Sequence, residues 1–274
     1  GNLLTTTDPL TNTTEFAYTS IGLLDTIEDA RGKITDFDYD SSGRMTKITD
    51  ANSKETDFTY NARARVTSVT NALSETTDFE YDDKDRLEKI IYPDTNEVNF
   101  EYDLAGRRIS VEDELGHATT YAYDDAYRLT SITDALSHTT SFGYDLMSNL
   151  TSQTDALSNV TSFEYDDFNR LKKIIYPAPS PSATPLQETM TYDKNGNIKT
   201  KVDTGGRTTS YDYDTANRLT KITDALSNQT QFTYNARSQM TKVKDALNQE
   251  YTFTYDALGR TLTQTRNSTT MTFT

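Results

Sequence analysis

Residues 213–233 read YDTANRLTKITDALSNQTQFT, and this 21-residue unit decides the fold. Arg218–Thr223 is rich in β-branched residues, and Thr230–Tyr234 alternates before it ends on an aromatic residue, which predicts two strands. Asp214–Asn217 and Asp224–Ser227 carry the residues typical of turns. Each unit is therefore expected to form a strand, a turn, a second strand and a second turn.

The same tyrosine recurs along the whole chain at intervals of 21 residues, with one interval of 27. The twelve copies are Tyr18, Tyr39, Tyr60, Tyr81, Tyr102, Tyr123, Tyr144, Tyr165, Tyr192, Tyr213, Tyr234 and Tyr255. A short fixed period is the signature of a repeat architecture. We expect an all-β fold over residues 1–274, a single array of about twelve hairpins whose strands form one continuous curled or spiralling sheet. Such a sheet could be a shell, a barrel-like body or a fibre.

The turn that follows the tyrosine ends on a residue expected to have positive φ, since glycine or asparagine often stands there. These positions include Gly43, Gly106, Asn169, Gly196, Asn217 and Gly259. We assign the four glycines and the twelve tyrosines a structural role. The strands pose a further question, because Leu219 and Ile222 are three residues apart and a regular strand would place them on opposite faces. Either a bulge lies between them or both faces are partly covered.

The interval of 27 contains a proline-rich insert, APSPSATP, at residues 178–185. It is expected to be an extended surface loop at a hairpin tip, with partner binding as the alternative. A longer period is also visible, because residues 83–93 match residues 167–177, which lie four units later. Both ends of the chain cut through a unit, so we expect it to be part of a longer array.

The composition argues against several classes of function. The chain has 42 acidic and 27 basic residues, a net charge of −15, which predicts no binding of nucleic acid or anionic lipid. No apolar run is long enough to insert into a membrane, and no cysteine is present.

No catalytic residue, metal site or cofactor is predicted. His117 and His138 occupy the same turn position in adjacent 21-residue repeats and are interpreted as solvated turn residues. A row of aspartates after the tyrosine offers carboxylates to a cation such as Ca²⁺, but each aspartate already has a role in its turn. A matching row of arginines is expected to form charge ladders with the aspartates along the sheet. The two rows include Asp40, Asp82, Asp103, Asp124, Asp145, Asp166, Arg44, Arg65, Arg86, Arg107, Arg128, Arg170, Arg218 and Arg260.

The Tyr-Asp pair, the Gly-Arg-Leu-Thr that follows it and the Thr-Asp-Ala-Leu-Ser turn resemble the RHS or YD repeat, as does Tyr-Pro-Asp at Tyr92–Asp94. The resemblance covers the whole chain. It implies a spiral sheet of hairpins, as in bacterial Rhs proteins, toxin-complex cocoons and teneurins, which encloses a toxin domain or serves adhesion at a cell surface. The paired Asp-Pro-x-Gly motifs of the Rhs core are missing from the sequence, since Asp8-Pro9-Leu10-Thr11 lacks the glycine.

The sequence therefore favours a non-enzymatic structural protein, extracellular or at the cell surface, that builds a fibre or shell. Two alternatives stay open: the wall of a cocoon around a toxin domain, and an adhesion or ligand-binding module. Residues 1–7 and 261–274 are strand-like, free of proline and carry Arg266 as their one charge, so they are not protected as edge strands usually are. The expected partners are further repeats or another copy, paired through these terminal strands, with an enclosed polypeptide as a further candidate.

Overall fold

The structure, a computed structural model, describes residues 2–8, 10–180, 182–266 and 269–272. These residues form 26 β-strands and no helix, which confirms the predicted all-β fold of tandem hairpins. None of the described residues belongs to a helix that could span a membrane. The strands are β1 (Thr5–Thr7), β2 (Thr13–Tyr18), β3 (Leu24–Glu28), β4 (Ile34–Tyr39), β5 (Met45–Thr49), β6 (Glu55–Tyr60), β7 (Val66–Thr70), β8 (Thr76–Tyr81), β9 (Leu87–Ile91), β10 (Glu97–Tyr102), β11 (Arg108–Glu112), β12 (Ala118–Tyr123), β13 (Leu129–Thr133), β14 (Thr139–Tyr144), β15 (Leu150–Thr154), β16 (Val160–Tyr165), β17 (Leu171–Ile175), β18 (Gln187–Tyr192), β19 (Ile198–Val202), β20 (Thr208–Tyr213), β21 (Leu219–Thr223), β22 (Gln229–Tyr234), β23 (Met240–Lys244), β24 (Glu250–Tyr255), β25 (Thr261–Arg266) and β26 (Thr269–Thr272).

The chain divides into two compact units. Unit 1 comprises Gly1–Tyr123 with Ile132–His138, and unit 2 comprises Asp124–Ser131 with Thr139–Thr274. From β1 to β12 in unit 1, each strand pairs antiparallel with the next strand in the chain. The same order holds from β14 to β26 in unit 2. Each unit is therefore built from a continuous sheet of consecutive hairpins.

A β-bulge that recurs along the array determines which side chains share a face. Between β20 and β21, Tyr213 pairs with Leu219 and Asp212 pairs with Lys221, so Thr220 is an extra residue. The extra residue shifts the alternation of side chains along β21 by one position. Leu219 and Ile222, which a regular strand would place on opposite faces, therefore lie on the same face. The bulge is thus the correct one of the two alternatives left open by the sequence.

The sheet has two chemically different faces. Along β22, Thr230, Phe232 and Tyr234 are half-buried and alternate with exposed polar residues. We call the side that carries these residues, and their equivalents in every hairpin, the apolar face, and the opposite side the charged face. None of the described side chains in either unit is fully buried, because the sheet is a single layer.

The turns follow the pattern expected from their aspartates. Asp40 Oδ1 accepts hydrogen bonds from the backbone N–H groups of Ser42 and Arg44 at 2.8 and 3.0 Å. The Gly43 N–H donates to the Asp40 carbonyl, and Gly43 has a φ of 77°. Positive φ is thus confirmed at this position, where Gly106, Gly196, Gly259, Asn169 and Asn217 also adopt it.

The proline-rich insert forms the loop between β17 and β18. The Tyr176 N–H donates to the Leu186 carbonyl at 2.8 Å and closes the loop at its base. The Ala183 N–H donates to the Ser180 carbonyl inside the loop. Pro181 lies outside the described residues.

Replacing Gly196 by valine is expected to destabilise its hairpin by about 1–2 kcal/mol, because a β-branched residue resists the φ of 92° found there. Gly196→Asn is the matched control, since asparagine holds a φ of 59° at the equivalent Asn169 and Asn217. Urea unfolding of both variants measures the difference. Equal stability of the two variants would contradict the role assigned to φ.

Candidate functional site

Eleven of the twelve repeated tyrosines connect a hairpin to the one before it. The Tyr39 hydroxyl donates to the Leu24 carbonyl at 2.8 Å, and the Tyr60 hydroxyl donates to the Met45 carbonyl at 2.6 Å. In both cases the acceptor residue directly precedes the extra residue of a bulge. The equivalent bond is made by Tyr18, Tyr81, Tyr102, Tyr123, Tyr144, Tyr165, Tyr192, Tyr234 and Tyr255.

In several hairpins an arginine immediately before the second strand adds another link, which we call the arginine clamp. The Arg218 Nε donates to Asp214 Oδ2 at 2.7 Å, within its own turn. Its Nη1 donates to the Asn235 carbonyl at 2.9 Å, and its guanidinium lies 4.9 Å from the centre of the Tyr234 ring. The same three contacts recur at Arg44, Arg86, Arg128 and Arg170.

The clamp differs from the charge ladder expected from the sequence. Each arginine forms its ion pair within its own turn, and it reaches the next hairpin through a carbonyl and an aromatic ring rather than through a second carboxylate. The fixed spacing of 16 residues between Arg218 and Tyr234 was a signal for this contact. Sequence reasoning missed it because the bulge that aligns the two side chains was not assigned.

The charged face differs in sign between the two units. The extra bulge residues also project from this face, as shown by the Thr67 hydroxyl, which lies 2.8 Å from the Thr59 hydroxyl. In unit 1 the face carries 13 acidic residues: Glu15, Asp25, Glu28, Asp36, Asp38, Glu55, Asp57, Asp78, Glu80, Glu88, Glu97, Glu101 and Glu112. It carries two lysines, Lys47 and Lys89.

In unit 2 the charged face is mainly cationic. Its acidic residues are Glu164, Asp212 and Glu250. Its six lysines are Lys172, Lys173, Lys199, Lys221, Lys242 and Lys244. The hairpin fold therefore does not itself require an acidic surface.

The two histidines lie in turns of unit 1, as the repeat phase predicts. His117 Nδ1 is 3.2 Å from Asp113 Oδ2, and His138 Nδ1 is 2.9 Å from Asp134 Oδ2. Both rings are exposed, and an open groove of about 390 Å³ lies between the two turns, with Val111 among its lining residues. In the part of the chain that the structure describes, no group of three or more His, Asp or Glu side chains could hold a metal ion.

Chelation with excess EDTA is expected to leave the thermal unfolding transition unchanged, because the turn aspartates are already occupied by backbone N–H groups and arginines. Scanning calorimetry with and without EDTA measures this. A large fall in Tm would instead show that a bound cation stabilises the turns.

Comparisons with known proteins agree with this geometry. The Teneurin YD-shell family profile matches residues 12–113. The RHS Repeat profile matches residues 102–139, 128–156, 148–180, 192–229, 213–250 and 234–270, which together exceed half of the chain. No curated protein matches the sequence.

Solved structures with a similar fold include TcdB2-TccC3 without its hypervariable C-terminal region, with 14% identity and a TM-score of 0.66. That match covers 97% of this chain and 17% of the other, so this chain spans about a sixth of that structure. The Tc holotoxin pore of Photorhabdus luminescens has 16% identity and a TM-score of 0.45, with 94% and 17% covered. A second TcdB2-TccC3 structure has 16% identity and a TM-score of 0.44, with 94% and 18% covered.

Fold and repeat together define a structural protein made of tandem β-hairpins. Its turns carry the Tyr-Asp motif, and its hairpins are joined by tyrosine bonds and arginine clamps. The chain belongs to the RHS repeat family. The resemblance inferred from the sequence is thereby confirmed.

Proposed function

We propose that the chain is a non-catalytic segment of an extracellular β-sheet wall that encloses a polypeptide. The observation that carries the proposal is the single-layer sheet with an apolar face on one side and a charged face on the other. Such a sheet can separate two compartments, with each face presented to one of them. The turns recur along the array, and the clamps recur at five places in it, so the same links hold the sheet together over its length.

The similarity to TcdB2-TccC3 and to the YD-shell profile supports a wall over an isolated hairpin domain. In the family that this chain resembles, hairpins of this type form a hollow shell around a toxin domain. A structural role also fits the aspartates of the Tyr-Asp motif. Their oxygens accept hydrogen bonds from backbone N–H groups within the turns, as those of Asp214 do.

Electron microscopy of the native particle that contains this chain tests the proposal. A hollow particle bounded by a β-sheet wall is expected. A thin filament without a cavity would reject the enclosing function.

A fibre is the second candidate, and the terminal strands favour it. Within the described residues, β1 pairs with β2 and β26 pairs with β25, so each terminal strand has one partner. An unpaired strand edge is a template for another strand. We therefore propose that both edges are paired in the native particle, either to further repeats or head-to-tail to another copy.

The main-chain bonds of Leu3–Thr7 and Thr270–Thr272 in a structure of the assembly test this pairing. Both strands are expected to bond to a neighbouring strand. Solvent-exposed edges in a monodisperse monomer would reject it, and the fibre with it. Phe273 and Thr274 lie outside the described residues.

A further inference from the structure

The net charge of the chain is concentrated in one of its two units. Unit 1 contains 26 acidic and 12 basic residues, a net charge of −14. Unit 2 contains 16 acidic and 15 basic residues, a net charge of −1. Because the two units share one hairpin design, this difference comes from the side chains chosen for the same positions.

The acidic residues on the charged face of unit 1 repel one another, although the hairpin fold does not require them to be acidic. Glu15 and Glu28 lie directly opposite each other on β2 and β3, and like charges in this arrangement are destabilising. Lys47 contacts Glu55 and Asp57, but two lysines cannot balance the carboxylates of the face. A cationic surface placed against this face would relieve the repulsion.

Unit 2 offers such a surface on its own charged face. Lys172 and Lys199 are the extra residues of two bulges, and both are exposed. Neither of them forms an ion pair within the residues described, whereas Lys173, Lys221 and Lys242 each contact a carboxylate and Lys244 lies opposite Glu250. The ammonium groups of Lys172 and Lys199 therefore remain available for an acidic partner.

We propose that the charged face of unit 1 in one copy of the chain docks on the charged face of unit 2 in a second copy. Sheets stacked face to face lie about 10 Å apart, a distance that lysine and glutamate side chains can bridge together. The contact is independent of whether the array serves as a wall or a fibre. It gives the charged face a partner that the hairpin fold alone does not supply.

The distribution of charge also determines the orientation of the contact. Two copies of unit 1 repel each other, since each has a net charge of −14, whereas unit 2 is nearly neutral. The favoured contact is therefore heterologous, from unit 1 to unit 2, and such contacts extend into chains of molecules unless the rotation closes a ring. Like-charge repulsion suppresses the competing arrangement.

Sedimentation velocity of the full chain over a concentration series tests the proposal. Association is expected at about 0.1 M NaCl and its loss at about 1 M, where the Debye length falls to about 3 Å. A chain that stays monomeric at every concentration at about 0.1 M NaCl would overturn the proposal. Association that strengthens at about 1 M NaCl would also overturn it, because that response indicates contact through the apolar face.

Charge reversal locates the contact. Lys172→Glu with Lys199→Glu is expected to weaken association at least about tenfold, a change of about 1.4 kcal/mol. The matched control, Lys194→Glu with Arg237→Glu, alters net charge equally at exposed turn tips of unit 2 and is expected to associate as the parent does. Circular dichroism and Tm verify that both variants fold. Equal losses in the two variants would overturn the assignment to the charged face.

Cross-linking identifies the two surfaces directly. A carbodiimide joins a carboxylate to an amine that contacts it. In a mixture of isotopically light and heavy copies, mass spectrometry is expected to find light–heavy links between Lys172 or Lys199 and carboxylates of the unit 1 charged face, such as Glu80 or Glu101. Intercopy links confined to other surfaces would reject the proposed contact.

Discussion

Acidification from pH 5 to pH 2 is expected to lower the Tm of the array, with the greater loss in unit 2. Seventeen turn aspartates have pKa values held below the usual range. At Asp40 the backbone N–H of Arg44 is the main cause of the lowered pKa, and at Asp214 it is the side chain of Arg218. The Asp29 pKa falls to about 2, chiefly through the side chain of Arg31.

The direction of the effect follows from linkage. A carboxyl whose pKa is lower in the folded state stabilises that state above its unfolded pKa of about 3.9, and this contribution is lost as pH falls through the folded value. The loss is therefore expected between about pH 4 and pH 2. Protonation also relieves repulsion among the 13 acidic residues on the charged face of unit 1, which partly offsets the loss there.

Hydrogen exchange, corrected for the intrinsic rate at each pH, measures the acid-induced loss of stability at each turn. The chain contains its own control, because asparagine replaces aspartate in the turns that begin at Asn61 and Asn235. These turns cannot titrate and are expected to keep their protection at a pH where the turns at Asp40 and Asp214 have lost it. Simultaneous loss in both kinds of turn would show that the turn carboxylates do not determine acid stability.

Removal of one arginine clamp is expected to destabilise the hairpins that the clamp connects. Arg218→Leu loses the ion pair with Asp214, the bond to the Asn235 carbonyl and the contact with the Tyr234 ring. The combined loss is expected to be about 2 kcal/mol, since the guanidinium is partly shielded from solvent. Arg218→Lys should recover only part of the lost stability, because lysine keeps the positive charge but its ammonium cannot make the planar contacts of arginine.

Arg237→Leu is the control for the clamp. Arg237 occupies an exposed turn tip and donates a single bond to the Ala257 carbonyl, so its loss should cost less than about 0.5 kcal/mol. Hydrogen exchange in β22 and β23 gives the local readout, since nearest-neighbour contacts dominate the stability of repeat arrays. Equal effects of Arg218→Leu and Arg237→Leu would show that the clamp adds nothing beyond the turn.

The hairpins could be predicted from the sequence because every boundary has a local chemical mark. Aspartate begins each type of turn, and a residue that tolerates positive φ ends it, as at Asp40 and Gly43. Because the repeat has a fixed period, a hairpin assigned in one repeat could be assigned at the equivalent positions along the whole chain. The assignment of side chains to the two faces could be predicted only in part, since the position of the bulge at Thr220 depends on pairing between strands rather than on the residue itself.

The links between hairpins could not be predicted in the same way. The arginine and aspartate rows suggested contacts from row to row, but the distance between side chains depends on the bulge and on the path of the turn. The unequal distribution of charge along the chain can be read from the sequence. Which of these charges share a surface depends on the structure, which assigns alternate residues to one face of a particular unit.

The loop between β17 and β18 shows how this architecture can acquire new sequence. The Tyr176 N–H closes it on the Leu186 carbonyl, just as the Tyr92 N–H closes the shorter turn on the Asn96 carbonyl. Beyond both closures the strands pair in the same register, with Ile175 opposite Gln187 as Ile91 is opposite Glu97. Lengthening a loop costs little, about 0.6 kcal/mol for each doubling. Turn tips are thus permissive points at which a gene can gain peptides, epitopes or whole domains while the neighbouring hairpins keep their alignment.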